Sequence, residues 1–132
     1  MSDWNAKVIE TFRANHGKVP NFSNMLLLTT RGAKTGQLRT FPLAYSRDGD
    51  AYVIAASKGG SPTNPDWYHN LLKNPEATVE IGDETFTAHA VPASGGERDR
   101  LWAVHVAGMP AFREYETKTT RTIPVLVLKK AA

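Results

Sequence analysis

Arg31, Lys34 and Arg39 place three cations within nine residues, with Gly32 and Gly36 loosening the backbone between them. The apolar run Met25, Leu26, Leu27, Leu28 leads into this stretch, and a strand-like run over residues 41–45 leads out. A tight turn between two strands that carries cations and backbone N–H groups is suited to hold an anion. Phosphate is the natural candidate, because lysine and arginine are its usual side-chain partners. A second loop of similar character runs from Ala55 and Ala56 through Ser57, Lys58, Gly59 and Gly60 to Ser61 and Pro62. Its small residues let backbone approach a ligand closely, Ser57 offers a hydroxyl and Lys58 a further cation. Either loop alone reads as a solvated surface turn. Two of them at the ends of neighbouring strands would grip one extended anionic ligand.

The elements that must position these loops are short. Trp4, Val8, Ile9 and Phe12 fall at helical spacing, with Asp3 as N-cap and Gly17 as the stop, which predicts an N-terminal helix within residues 1–17. Its apolar face is expected to pack on the domain, the alternative being a membrane surface with Lys7 and Arg13 toward water. Strands are expected over residues 25–30, 38–46 and 51–57, with Asp48-Gly49-Asp50 as a hairpin turn between the last two. Asn64 is expected to cap a helix with Pro65 in its first turn and Trp67, Leu71 and Leu72 on its apolar face, ended by Asn74-Pro75. A second hairpin crosses Gly82-Asp83. Helical stretches follow over residues 97–106 and 111–118, and a last strand over 123–128. About six strands with short interspersed helices predict a single α+β domain over residues 1–132, a small β-barrel with helices outside it.

Bulk composition removes several functions. The chain has 132 residues, 41% hydrophobic and 22% charged, which suits one globular domain. It has no cysteine, so no disulfide, thiolate nucleophile or cysteine-based zinc site is available, and a reducing cytoplasmic setting fits. The net charge of +3 is too mild, and its cations too local, for a nucleic-acid binder. No apolar run approaches a membrane span, and the N-terminus does not read as a signal peptide. His16, His69, His89 and His105 are scattered without helical metal spacing and are read as structural or solvated. No Gly-x-Gly-x-x-Gly follows a strand, so a Rossmann nicotinamide site is not indicated.

With those residues in view, the chain resembles the deazaflavin-dependent nitroreductase family, whose members use coenzyme F420. The resemblance rests on Leu28-Thr29-Thr30, Lys34-Thr35-Gly36-Gln37 with Arg39, Phe41-Pro42-Leu43 and Asp48-Gly49-Asp50. It continues through Ala55-Ala56-Ser57-Lys58-Gly59-Gly60, Asn64-Pro65-Asp66-Trp67-Tyr68 with Asn70-Leu71, Asn74-Pro75 and Arg121-Thr122-Ile123-Pro124. These motifs run nearly the length of the chain. The Ser-Lys-Gly-Gly and Asn-Pro-x-Trp-Tyr pair is the specific part; Lys-Thr-Gly alone would be weak.

The resemblance implies a split β-barrel of the FMN-binding, pyridoxamine-oxidase-like kind with short peripheral helices. It implies a noncovalent F420 that delivers hydride in its reduced form to a quinone, nitroaromatic or other conjugated electrophile. The cofactor-binding positions carried over are Arg31, Lys34, Thr35, Gly36, Gln37, Arg39, Pro42, Ala55, Ala56, Ser57, Lys58, Gly59, Asn64 and Trp67. Ala33 stands where many relatives have a basic residue, so either Arg31 compensates or the phosphate grip is weaker. Tyr115 and Ser57 are the catalytic candidates, donating to the oxyanion that hydride transfer leaves; Tyr115 alternatively only packs. Phe112 stands where such nitroreductases often have a second tyrosine, which keeps an aromatic wall and removes a hydroxyl. Two alternatives stay open: FMN held by the same cations, and a non-catalytic F420 carrier. A monomer or homodimer is expected, cytoplasmic or peripheral to the inner face of the cell membrane through the N-terminal helix.

Overall fold

The computed structural model describes residues 3–20 and 24–131. Its elements are α1 (Asp3–Ala14), β1 (Met25–Arg31), β2 (Leu38–Ala44), β3 (Ser46–Asp48), β4 (Ala51–Ala55), a 3-10 turn (Lys58–Gly60) and α2 (Asp66–Lys73). They continue with β5 (Glu76–Ile81), β6 (Glu84–Pro92), α3 (Gly95–Gly108), α4 (Ala111–Thr117) and β7 (Val125–Lys130). The side chains of Asp3 and Trp4 lie outside the described residues, and with them the expected cap and the first apolar position of α1.

All seven strands form one antiparallel sheet in the order β2-β1-β5-β6-β7-β4-β3. Strands β2 and β3 are the two ends of that order, yet a single residue, Tyr45, separates them in the chain. The sheet therefore curls until its edges nearly meet, as a half-barrel. The expected strand over 38–46 is thus two strands broken at Tyr45, and the described residues hold seven strands where about six are expected.

The curl explains the sequence pattern. Strand β1 buries both faces, so it reads as a continuous apolar run rather than an alternation. Leu26 and Leu28 join Tyr52, Ile54, Val79, Leu126 and Leu128 inside the barrel, where Trp67 and Leu71 of α2 close it. Met25 and Leu27 face the other way, onto Val8, Ile9 and Phe12 of α1. The opposite face of β4 and β7, with Val53, Ala55 and Val125, is covered by Leu101, Trp102 and Val106 of α3.

Helix boundaries differ from expectation in one place that matters. Pro65, in extended conformation, is the N-cap of α2, and Asn64 makes no cap. Its carboxamide oxygen instead accepts from Arg121 Nη1 at 2.7 Å. Strand β7 also begins two residues later than expected, because Ile123 belongs to the α3 core cluster and Pro124 gives its carbonyl to the Ala56 N–H.

Candidate functional site

A cleft of about 540 Å³ opens where β2, the end of β4, the start of α2 and α4 converge. Pro42, Leu43 and Ala44 form one side, as the outer part of an edge strand where a proline costs no ladder hydrogen bond. Trp67, Asp66 and Pro65 come from α2, Ser57 and Lys58 from the loop after β4, Phe112 and Tyr115 from α4, and Asn5 from α1. The volume lies within the roughly 300–1,000 Å³ of small-molecule sites. Its walls are largely aromatic and aliphatic, with Asn5, Ser57, Lys58, Asp66 and the Tyr115 hydroxyl as the polar groups.

The structure brings Pro42, Ala55, Ser57, Lys58, Trp67 and Tyr115 together in this cleft. The remaining expected positions lie around it rather than in it. Ala56 is fully buried, and both its backbone groups are used: N–H to Pro124 O, and C=O from Arg121. It supports the loop and has no polar group to give. Gly59 lies within the 3-10 turn, and Asn64 is committed at its oxygen to Arg121.

The 32–37 turn continues from the far end of β2. Arg39 pairs with Thr30, Phe41 with Leu28 and Leu43 with Leu26, so these three β2 residues share one face. Arg39 stands two residues beyond the cleft-lining Phe41, about 7 Å along a strand. The turn's N–H groups are less free than the sequence suggests. Gly32 N–H donates to Gln37 O, Gly36 N–H to Gly32 O, Gln37 N–H to Thr35 Oγ1, and Ala33 N–H to Asn70 Oδ1. Thr35, Gly36 and Gln37 thus shape the turn with these groups.

Arg31 is engaged by its own turn. It pairs with Leu38 across the ladder, one residue out of phase with Thr30 and Arg39, so it occupies the opposite face. Its Nη1 donates to Gly36 O at 2.9 Å and closes its own turn.

Two residues that carry the site's geometry were quoted in the sequence motifs without a role. Asn70, buried on α2, donates to Thr30 Oγ1 at 2.9 Å and accepts from Ala33 N–H at 2.9 Å, while Lys73 Nζ donates to Ala33 O. The cationic turn is therefore docked on α2. The usable signal was a polar residue on the same stripe as Trp67 and Leu71, three residues after Trp67. Arg121 is the second: it donates to Ala56 O, Ser57 O, Ser61 O and Asn64 Oδ1 over 2.7–3.0 Å.

Lys58 has φ +47, a left-handed conformation that a non-glycine residue adopts at a cost of about 1–2 kcal/mol. The turn it begins is wedged against α4. A Cβ on Gly60 would come within 2.7 Å of Lys118 Cβ and 2.9 Å of Tyr115 O, so only glycine permits this approach. Phe112 and Tyr115 meet edge to face with ring centroids 5.1 Å apart. Behind them His105 is fully buried, its ring 4.4 Å from that of Phe112, and burial pushes its pKa down to about 4. Among the described residues, no group of three or more acidic or histidine side chains could hold a metal.

The chain is similar to known proteins in sequence and in fold. The sequence model of a family described as F420H(2)-dependent quinone reductase matches residues 4–130. A protein of Mycobacterium tuberculosis strain H37Rv named as an F420H(2)-dependent quinone reductase is 43% identical over 126 residues, covering 90% of this chain and 85% of the relative. A solved structure described as an F420-H2 dependent reductase (FDR-A) superposes with TM-score 0.75 at 38% identity, covering 86% of this chain and all of that one. A Listeria innocua protein placed among the pyridoxamine 5'-phosphate oxidases superposes with TM-score 0.59 at 11% identity, covering 98% and 95%. At that identity it shows the fold alone, which is a split barrel.

Proposed function

This chain belongs to the F420H2-dependent quinone reductase family, an oxidoreductase family that uses coenzyme F420, and from that premise we propose that its cleft holds the deazaflavin ring against Pro42 and Trp67 while Lys34 and Arg39 bind the anionic tail. The observation that carries the reading is continuity. Phe41, Pro42 and Leu43 wall the cleft and Arg39 lies on the same strand, so β2 leads from the cleft to the cationic turn. The cofactor, when bound in its reduced form, supplies a hydride from C5 to a conjugated acceptor.

The protein's own residues supply binding and placement. Phe112 and Tyr115 form the wall against which a flat quinone stacks, and Ser57 and Tyr115 supply hydroxyl donors where the acceptor oxygen gains charge. Lys58, at the rim, adds a cation. Phe112 in place of a second hydroxyl donor favours quinones, whose reduced oxygen needs one donor at a time, over nitro groups. The α1 helix contributes Asn5 to the cleft.

Titration of the purified protein with F420 should give saturable fluorescence change, and reduced F420 should be oxidised on adding menadione. Lys34→Ala is expected to weaken F420 affinity by about tenfold or more, the range of one charge-assisted contact, with turnover at saturating cofactor within about twofold of wild type. No binding at high micromolar F420, or a yellow protein carrying a flavin spectrum, would overturn the cofactor assignment.

A further inference from the structure

Arg121 lies outside the cleft lining, between α4 and β7, and its guanidinium is the most heavily engaged polar group near the site. Nη1 donates to Ala56 O at 3.0 Å and to Asn64 Oδ1 at 2.7 Å, Nη2 to Ser57 O at 2.8 Å, and Nε to Ser61 O at 3.0 Å. All four acceptors are neutral oxygens, and among the described residues no carboxylate pairs with this partly buried charge. All four also belong to one stretch, residues 56–64, which carries the cleft residues Ser57 and Lys58.

An ion held without a counter-ion, at a desolvation cost, needs a reason. We infer that Arg121 is a positioning residue that fixes Ser57 and Lys58 for the acceptor step by gathering the carbonyl oxygens of their loop on the side away from the ligand; this deepens the function proposed above and rests on it. Peptides are planar, so turning the Ala56 and Ser57 carbonyls toward Arg121 turns the N–H groups of Ser57 and Lys58 to the opposite side. Neither N–H has a hydrogen-bond partner among the described residues. Released from Arg121, the Ala56 carbonyl would have no partner among the described residues and the Ser57 carbonyl only the Gly60 N–H, so their dipoles could swing toward an electron-rich ligand and the left-handed Lys58 would relax. The uncompensated charge also stands behind the loop, where it favours negative charge in front of it. Arg121 itself touches neither cofactor nor acceptor.

The guanidinium fork, and not charge alone, is what the contacts require, because one ammonium has neither the reach nor the planar spread to serve four oxygens. That distinction makes the test. Arg121→Gln and Arg121→Lys are compared with wild type for melting temperature, F420 dissociation constant, kcat with menadione, and amide hydrogen exchange of the ligand-free protein. The Gly60 and Ser61 amides, which donate to Ser57 O and Lys58 O, are expected to exchange about tenfold faster or more in Arg121→Gln, with the amides of β4 unchanged. In both variants kcat should fall by about tenfold or more while the F420 dissociation constant moves by less than about threefold, the reverse of Lys34→Ala. Should Arg121→Gln fail to fold, Arg121→Lys carries the same comparison. Wild-type exchange at Gly60 and Ser61, or full kcat in Arg121→Lys, would overturn the inference. A wild type that binds no F420 but shows the exchange contrast would overturn the cofactor assignment and leave the loop-setting role standing.

Discussion

Tyr115 meets Phe112 edge to face where it lines the cleft, Lys118 Nζ lies 6.0 Å from its ring centroid, and its backbone oxygen is seated close to Gly60, so main chain and ring are both held. A ring so held has a hydroxyl of fixed reach, which suits a donor to an acceptor oxygen. Tyr115→Phe keeps the wall and removes the donor. Its kcat with menadione should fall by about tenfold or more with the F420 dissociation constant within about twofold, which steady-state kinetics and fluorescence titration separate. Unchanged kcat would reduce Tyr115 to a packing aromatic. At this scale residue types were legible and commitments were not. Ser57, Lys58, Trp67 and Pro42 announce themselves by type and motif, and they share the cleft. Arg31 looked equivalent to Lys34 as a cation, but its Nη1 is bonded to Gly36 O within the turn, a contact that residue type does not announce. Asn64 looked like a cap, and its oxygen went to an arginine 57 residues away. Long-range hydrogen bonds leave no periodic trace, which is why the role of Arg121 could not be read before the fold was known.

Helix α1 and the cationic turn show what an element's packing decides. Val8, Ile9 and Phe12 are buried on Met25 and Leu27, so the apolar face that would have inserted into a lipid surface is occupied by the sheet. Arg13 adds a bidentate pair with Glu80, and a Cβ on Gly17 would lie 2.6 Å from the Gly82 backbone, so the helix end is seated against the β5–β6 hairpin. Phe12, 1% exposed, is the centre of this contact. Phe12→Ala should destabilise the protein by about 3–5 kcal/mol, measured by urea unfolding, as for other large-to-small changes in a core. A loss below about 1 kcal/mol would mean that α1 is only loosely docked, and lipid contact through its apolar face would regain force. The helical period of α1 was readable because one stripe of a helix is buried. Strand β2 was harder: its break at Tyr45 depends on the curl of the whole sheet, which no local window contains.

At the scale of the molecule, the curl that lets β2 and β3 nearly meet also brings β3 against α3, and His105 is buried at that junction. Its Nδ1 lies 2.9 Å from Ser46 Oγ, its Nε2 has no hydrogen-bond partner among the described residues, and its ring packs on Trp102 and Phe112. Desolvation alone holds its pKa down, to about 4 from an ordinary 6.5. The folded protein thus keeps a neutral imidazole over a range in which the unfolded chain is already protonated. Stability from this residue is complete above about pH 6.5, declines as pH falls from there toward 4, and levels off below, where both states carry the proton. The full loss is about 3 kcal/mol, since each tenfold drop in proton affinity corresponds to about 1.4 kcal/mol. Asp48, whose carboxyl the Arg100 guanidinium holds below its usual range, weakens the fold in acid as well, but only at lower pH. His105→Phe separates the two. It preserves an aromatic ring against Phe112 and cannot titrate, so its unfolding free energy should be nearly flat between about pH 6.5 and 4.5, where wild type falls by roughly 1 kcal/mol per pH unit, most steeply at about pH 5. Urea unfolding across that range measures the difference. Parallel curves for the two proteins would show that the junction between β3, α3 and α4 admits water, and that the wall behind Phe112 is softer than its packing indicates.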